Sequence, residues 1–541
     1  MFLNIDRYWR KLLGIVTPIA LSPLLIVIGT QEAKCAYAIL WLAIYYVFEP
    51  IPIPVTSLLP VLLYPLMGIM STDETCKLYF KDIIMMYMEA LILALAIEYC
   101  NLHKRIALKV LLLLGTSIRR LMIGFILVSA LLSMWLINTA TTAMMTPIVD
   151  ALIIELKDKQ QNPSLPEKNR KTIARAEEEF QEIIDEESNN DIYYERLRTC
   201  LLLSIAYAST CGGTATVIGT GANFVLLGLI EEKYPNSKLT FSTWLMYNAP
   251  TMVICVIAVF MVLQTFYVGC RFKSNKEEER RLSIVLKKKY EELGSVSFHE
   301  CAILFIFASL LITWFFKNPK FIEGWSSKLI PNINVSNATP GVAACLLLFL
   351  IPADPRNFSR SKSLMNWKTV ERKLPWGVLL LFGSGLAVTE GAQKSGLSIW
   401  IVDQLRYLNA LSPNAILVIL CLLIAMITEV LTNMTTATLF LPVVNQMAIA
   451  IGVDPLFFML PITICCSFSF MLPIGNPPCA IVYQAGDMKT SDMMKPGIFL
   501  NIICCLIEII MVNTLGKAVF GFDMKINNKV DIAIYNSTVA Q

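Results

Sequence analysis

Two short stretches carry the residues most able to do chemistry. One reads WLINTATTAMMTP, from Trp135 to Pro147, and the other reads VLTNMTTATLFLP, from Val430 to Pro442. Each places an asparagine and several threonines inside an otherwise apolar run. An asparagine side chain offers one carbonyl oxygen and an NH2 with two donors, and a threonine offers a hydroxyl that both donates and accepts. Gathered at one point, such groups can ligate a cation through oxygen and an anion through N–H and O–H. Aligned on Asn138 and Asn433, Thr141 meets Thr436 and Pro147 meets Pro442. Hydroxyl residues Ser133 and Thr428 each lie five positions before the asparagine.

A second pair follows downstream. GGTATVIGTGANFVLLG (212–228) has a counterpart in MLPIGNPPCAIVYQAG (471–486), with Ile218-Gly219 over Ile474-Gly475 and Val225 over Ile481. The first pair is offset by 295 residues and the second by 256. The difference of 39 is about the length of one polar insertion, 157–198, so a single insertion brings both pairs into register. The chain therefore contains an internal repeat. Each copy holds an apolar segment broken by an Asn/Thr cluster, then another broken by a Gly- or Pro-rich turn.

The elements that position these residues must be membrane helices. Of 541 residues, 56% are hydrophobic and 16% charged, against about 25% charge in soluble domains. Runs such as 12–29, 252–269, 301–316 and 499–516 approach the roughly 20 apolar residues that span a bilayer. The expected class is an all-α polytopic membrane protein. The first run is long and is followed at once by another, so it reads as a span and not as a cleaved signal. A net charge of +4 with no basic stripe argues against nucleic acid. The 15 cysteines lie mostly in apolar runs, as at Cys465-Cys466 and Cys504-Cys505, and read as small buried hydrophobes. Two histidines, His103 and His299, do not make a metal centre.

Lys and Arg mark the cytoplasmic side of short loops. Arg7, Arg10 and Lys11, then Lys104 and Arg105, then the polar stretches 157–198, 271–300 and 356–373, are all basic enough to be placed there. Four spans then fit before Lys104 (about 13–30, 34–50, 53–70 and 84–102), two between the first two polar loops (about 199–231 and 245–269), and two between 300 and 356. This leaves the amino terminus in the cytoplasm and the tail outside, where the sequon at Asn536 is usable, as are those at Asn334 and Asn337. Segment 119–156 has cytoplasmic flanks at both ends, so it enters and returns as a hairpin with its tip near Asn138. Its counterpart, about 413–450, would enter from outside.

A single Asn/Thr cluster in a membrane helix reads equally well as interhelical hydrogen bonding, GGTATVIGTG alone as close packing, and NPP at 476–478 alone as a kink. The register of all four changes that reading. Broken backbone at membrane depth is tolerated only where protein or water satisfies it, and paired interruptions in two halves point to a transporter binding site. Half-helix N-termini there face anions, and freed carbonyls ligate cations. Glu89, Glu98 and Glu429 are acids inside apolar segments and are further candidates. An intramembrane hydrolase would need paired Asp, Ser–His or a metal motif, none of which is present. A channel fits two fixed hairpins less well than an occluding site does.

Read together, MSTDETCKLYFKD, EYCNLHKRIAL, MWLINTATTAMMTPIV, GGTATVIGTGANFVLLG, LPWGVLLLFGSGLAV and TNMTTATLFLP resemble the divalent-anion:sodium symporter family, over nearly the whole chain. The animal di- and tricarboxylate carriers, including the insect "I'm not dead yet" type, are the most similar members. The resemblance implies about 11 transmembrane helices plus two re-entrant hairpins in inverted repeats, working as an elevator. Its parts would be scaffold 1–118 and 301–412, transport 119–270 and 413–520, a cytoplasmic loop 271–300 and an extracellular tail 521–541. It implies substrate contacts from Asn138, Thr139, Thr220, Gly221, Thr432, Asn433, Met434 and Pro477. It implies one Na+ enclosed by Ser133, Asn138, Gly213 and Gly219, and another by Thr428, Asn433 and Gly475. A carboxylate substrate, a homodimer and the plasma membrane are implied as well. Ile137 stands where the family's serine would offer a hydroxyl to the first ion site, Met434 lacks the hydroxyl of the strict motif, and Cys479 replaces an asparagine. Sodium-independent exchange and sulfate transport are therefore the competing expectations.

Overall fold

The computed structural model describes residues 2–158, 173–234, 237–269, 276–319, 322–329, 335–357, 361–405 and 411–522. Within these, secondary structure is helical apart from one isolated bridge between Pro352 and Ser363. Six helices are long and apolar enough to cross a membrane, or eight if each of two bent pairs counts as one span. Shorter apolar helices accompany them, among them Ala338–Leu350, Pro413–Ile427 and Pro455–Cys465. Large apolar side chains are exposed along these helices, including Ile19, Ile26, Phe305, Leu350 and Ile510. In water such a surface would be unstable. In a bilayer it meets acyl chains, while the helical backbone satisfies its own polar groups. The chain is an integral membrane protein.

Several helices are shorter or longer than the apolar runs suggest. The third expected span is two pieces, Ile53–Thr56 and Leu59–Leu66, because Pro52, Pro54 and Pro60 each remove a backbone donor. Tyr79 Oη donates to Ser57 O at 2.6 Å and Tyr46 Oη to Ser384 Oγ at 2.9 Å, pinning this break against the helix Trp376–Lys394. Conversely, helix Ile173–Gly212 is continuous from the polar insertion into the apolar run. No glycine or proline interrupts it before Gly212, so nothing stops the helix where hydropathy changes. The expected loop 157–198 is thus helical from Ile173 on; 159–172 lie outside the described residues, as do Asn334 and the tail with Asn536.

Both Asn/Thr segments break where expected. Ile118–Ser133 is followed by Asn138–Asp158, and Pro413–Ile427 by Asn433–Ile451. Both downstream segments break too, Ile173–Gly212 before Gly221–Lys233, and Pro455–Cys465 before Pro477–Ala485. The breaks lie against one another: Asn476 Nδ2 donates to Thr210 Oγ1 at 2.7 Å, and Tyr207 Oη to Phe470 O at 2.9 Å.

Candidate functional site: a cavity between four helix N-termini

Asn138, Gly221, Asn433 and Pro477 are each the first residue of a helix, and all four line one cavity of about 370 Å3. The first turns of a helix carry N–H groups with no intrahelical partner and the positive end of its dipole. Four such ends aimed at one space form an anion-attracting chamber. Thr139, Gly219, Thr220, Thr432 and Met434 complete this side, so the structure brings together all eight residues expected at the substrate. Lys, Arg, His, Asp and Glu are absent from the lining residues described. Attraction for an anion here comes from backbone dipoles, amides and hydroxyls.

The two hairpin tips differ in how their helices start. Thr432 caps its helix, accepting from Thr435 N at 3.3 Å, with its hydroxyl 2.7 Å from that of Thr435. Ile137 in the equivalent place has no side-chain acceptor, so its helix meets the cavity without a hydroxyl cap. Ile137 also lines a second, small crevice with Glu98, His103 and Leu136, and so separates the two spaces.

Behind the first tip, one terminus of the Asn138 amide lies 2.5 Å from Ser133 Oγ, 3.2 Å from Ser209 O and 3.3 Å from Gly219 O. As the amide nitrogen, that terminus donates to all three. Turned over, the amide brings Ser133 Oγ, Asn138 Oδ1, Ser209 O and Gly219 O into one oxygen cluster, the donor set that Na+ takes in broken-helix carriers. Gly213 is needed because a Cβ there would run into the Asn138 amide, 2.8 Å from Nδ2. Asn223 Nδ2 holds the turn by donating to Gly213 O at 3.1 Å and Thr216 O at 2.8 Å.

The second tip repeats the plan with different atoms. Thr428 Oγ1 lies 3.3 Å from Asn433 Oδ1 and donates to Cys466 O at 2.5 Å. A Cβ on Gly475 would strike Thr428 O, and would lie 2.6 Å from Glu429 O. The tips are also tied to their turns in opposite senses. In the first half the Thr216 hydroxyl donates to Met134 O. In the second, the Glu429 carboxylate accepts from the backbone of Phe470 (2.9 Å), Met471 (3.0 Å) and Leu472 (2.8 Å), from Ser469 Oγ (3.2 Å) and from Asn501 Nδ2 (2.7 Å). Glu429 is 3% exposed, so this buried acid is fully engaged in holding the second turn. The other two acids are elsewhere. Glu98 pairs with Lys373 at 2.5 Å, and Glu89 is packed against Gly341.

The sequence profile described as "Sodium:sulfate symporter transmembrane region" matches residues 6–522. The chain belongs to the sodium:sulfate symporter family. Members of this symporter family are transporters, and the chain is a transporter, not an enzyme. Among its relatives, the Na(+)/citrate cotransporter of Rattus norvegicus is 39% identical over 548 residues, covering 94% of each chain. Solute carrier family 13 member 2 of Homo sapiens is 36% identical, covering 95% of this chain and 94% of its own. Protein I'm not dead yet of Drosophila melanogaster is 34% identical, covering 95% and 90%.

The wall facing the hairpin tips was not read from sequence. It consists of Ile53, Pro54, Tyr87, Pro375, Gly377, Val378 and Leu381. Tyr87 is held by its ring contact with Phe224, centroids 4.6 Å apart. The available signal was IPIPV and LPWGV, two proline-interrupted apolar runs; prolines at such depth mark broken helices as asparagines do.

Proposed function

We propose that this chain is a secondary active carrier of di- and tricarboxylates such as succinate and citrate, coupled to Na+. The observation that carries this is the cavity between four helix N-termini, flanked by two oxygen-rich clusters at Asn138 and Asn433. A dicarboxylate has two charged ends, and the two tips offer each end an amide, hydroxyls and a helix start. Each asparagine belongs to both an anion-facing helix start and an oxygen cluster, which makes anion and cation binding favour one another. The Na(+)/citrate cotransporter name of the rat relative supports the same substrate class.

In this reading the architecture is about eleven spans and two re-entrant hairpins of opposite sidedness. The transport parts, 119–270 and 413–520, move against the scaffold parts, 1–118 and 301–412, as an elevator. The carrier is a homodimer in the plasma membrane, with its amino terminus in the cytoplasm and its tail outside, glycosylated at Asn536. One observation favours a second reading, exchange with weaker sodium coupling: Ile137 supplies methyl groups where a hydroxyl would join the first oxygen cluster. The test is uptake of labelled succinate, citrate and sulfate into proteoliposomes with and without Na+. Saturable, sodium-dependent succinate or citrate uptake that sulfate barely inhibits is expected. Sulfate uptake untouched by excess succinate would refute the substrate class.

A further inference from the structure

Outside the cavity, the helix Leu102–Leu114 does not continue the span before it. Asn101 adopts a left-handed conformation, φ 58°, and the helix turns away by 64°. Ile106, Lys109, Val110 and Leu113 follow one another at helical spacing on a single stripe. Ile106, Lys109 and Leu113 are exposed, Leu113 to 77%. Arg119 and Arg120 are exposed just beyond its end, and Lys104 at its start. No Asp or Glu occurs between Glu98 and Asp150, so nothing in the segment offsets these bases.

The depth of this helix is fixed from its inner side. Arg105 donates to Glu300 Oε1 at 3.0 Å, Gly294 O at 2.9 Å, Leu293 O at 3.0 Å and Ser295 O at 3.3 Å. Those partners sit at the start of the span Phe298–Phe315, whose Phe298 is exposed. The stripe therefore lies at the level where a membrane span begins, turned out of that span's direction. Exposed apolar side chains with interspersed bases at that level match a helix lying in the interface plane.

We propose that Leu102–Leu114, with Arg119 and Arg120, is a docking surface for anionic lipid headgroups. Ile106 and Leu113 enter the acyl boundary, and Lys109, Arg119 and Arg120 meet the phosphate and carboxylate groups above it. Anionic lipids concentrate in the cytoplasmic leaflet, where the proposed topology puts this arm. The helix leads directly into the first hairpin through Ile118–Ser133, so leaflet charge acts on an element next to the transport cavity.

The experiment is hydrogen exchange of the full chain in nanodiscs of phosphatidylcholine alone or mixed with phosphatidylserine. It needs no transported substrate, so its outcome is independent of the carboxylate reading, and nanodiscs expose both faces. Amides of 102–114 should exchange more slowly with phosphatidylserine present. The protection should fall about fivefold for each base neutralised and vanish in the triple variant Lys109→Gln, Arg119→Gln, Arg120→Gln. Exchange elsewhere in that variant should match the parent, showing that the fold is intact. Equal exchange in the two lipid mixtures, or a phosphatidylserine effect that survives the triple substitution, would overturn the proposal.

Discussion

Replacing Glu429 by glutamine tests how much of the second half rests on one carboxylate. Both of its oxygens accept only, from four side-chain or backbone donors of the turn 469–472 and from Asn501. Glutamine must present an NH2 in place of one oxygen. Its better orientation points that NH2 toward Ser469 Oγ, which can accept. The Leu472 N–H, 2.8 Å from the oxygen it used, then faces a donor. One polar group left unsatisfied in this setting costs about 1–3 kcal/mol, and reducing the other bonds from charge-assisted to neutral adds a similar amount. The total is at least about 3 kcal/mol, or roughly a hundredfold in an equilibrium constant. It falls on the turn that carries Gly475 and Asn476 to the cavity. Succinate uptake at subsaturating substrate and Na+ should drop about a hundredfold at equal amounts of folded protein. If Glu429→Gln stays within about threefold of the parent, the carboxylate does not hold the turn in place, and the reasoning fails.

Asn138→Ala and Asn433→Ala should each lower substrate affinity at least about tenfold while leaving surface expression unchanged, measured by uptake against surface biotinylation. Near-normal uptake in either would move the site. Ile137→Ser should make uptake more steeply dependent on Na+ by adding a hydroxyl beside Asn138. Superimposable sodium curves would show that this side chain does not govern coupling. Gly213→Ala should abolish uptake, because its methyl would displace the Asn138 amide at a fully buried helix end, an overpacking cost of about 1–3 kcal/mol. Binding of labelled succinate to the purified variant reads this directly, and parental affinity would show that the turn can yield.

Much of this organisation was legible because membrane helices are written in simple patterns. The apolar runs gave the helical class, and the two asparagine clusters with their downstream turns located four helix breaks. The resemblance then assigned residues that the structure brings to one cavity. Helix ends followed other rules. Proline at 52, 54 and 60 splits an apolar run that hydropathy reads as one span, and the absence of Gly or Pro lets Ile173–Gly212 run through a change of polarity. The wall of Tyr87, Pro54 and Val378 was not legible, since apolar side chains distant in sequence carry no mark of what they face. Glu429 was visible as an acid in an apolar segment. Its role was not, because its partners are mostly backbone N–H groups, which every sequence has.

The composition of the cavity wall has a consequence for protons. Among the described lining residues none is Asp, Glu, His, Lys or Arg, and Tyr87 is a phenol, a group that ordinarily titrates near about 10. The binding surface thus has no group that changes charge near neutrality. An acidity dependence of uptake there must come from the transported molecule. Succinate, fully ionised near neutrality, should be carried at a rate nearly independent of pH. Citrate loses its last proton in that range, so its rate should follow the population of whichever ionic form the four helix ends accept. The carrier would then select by protonation state without itself taking up a proton.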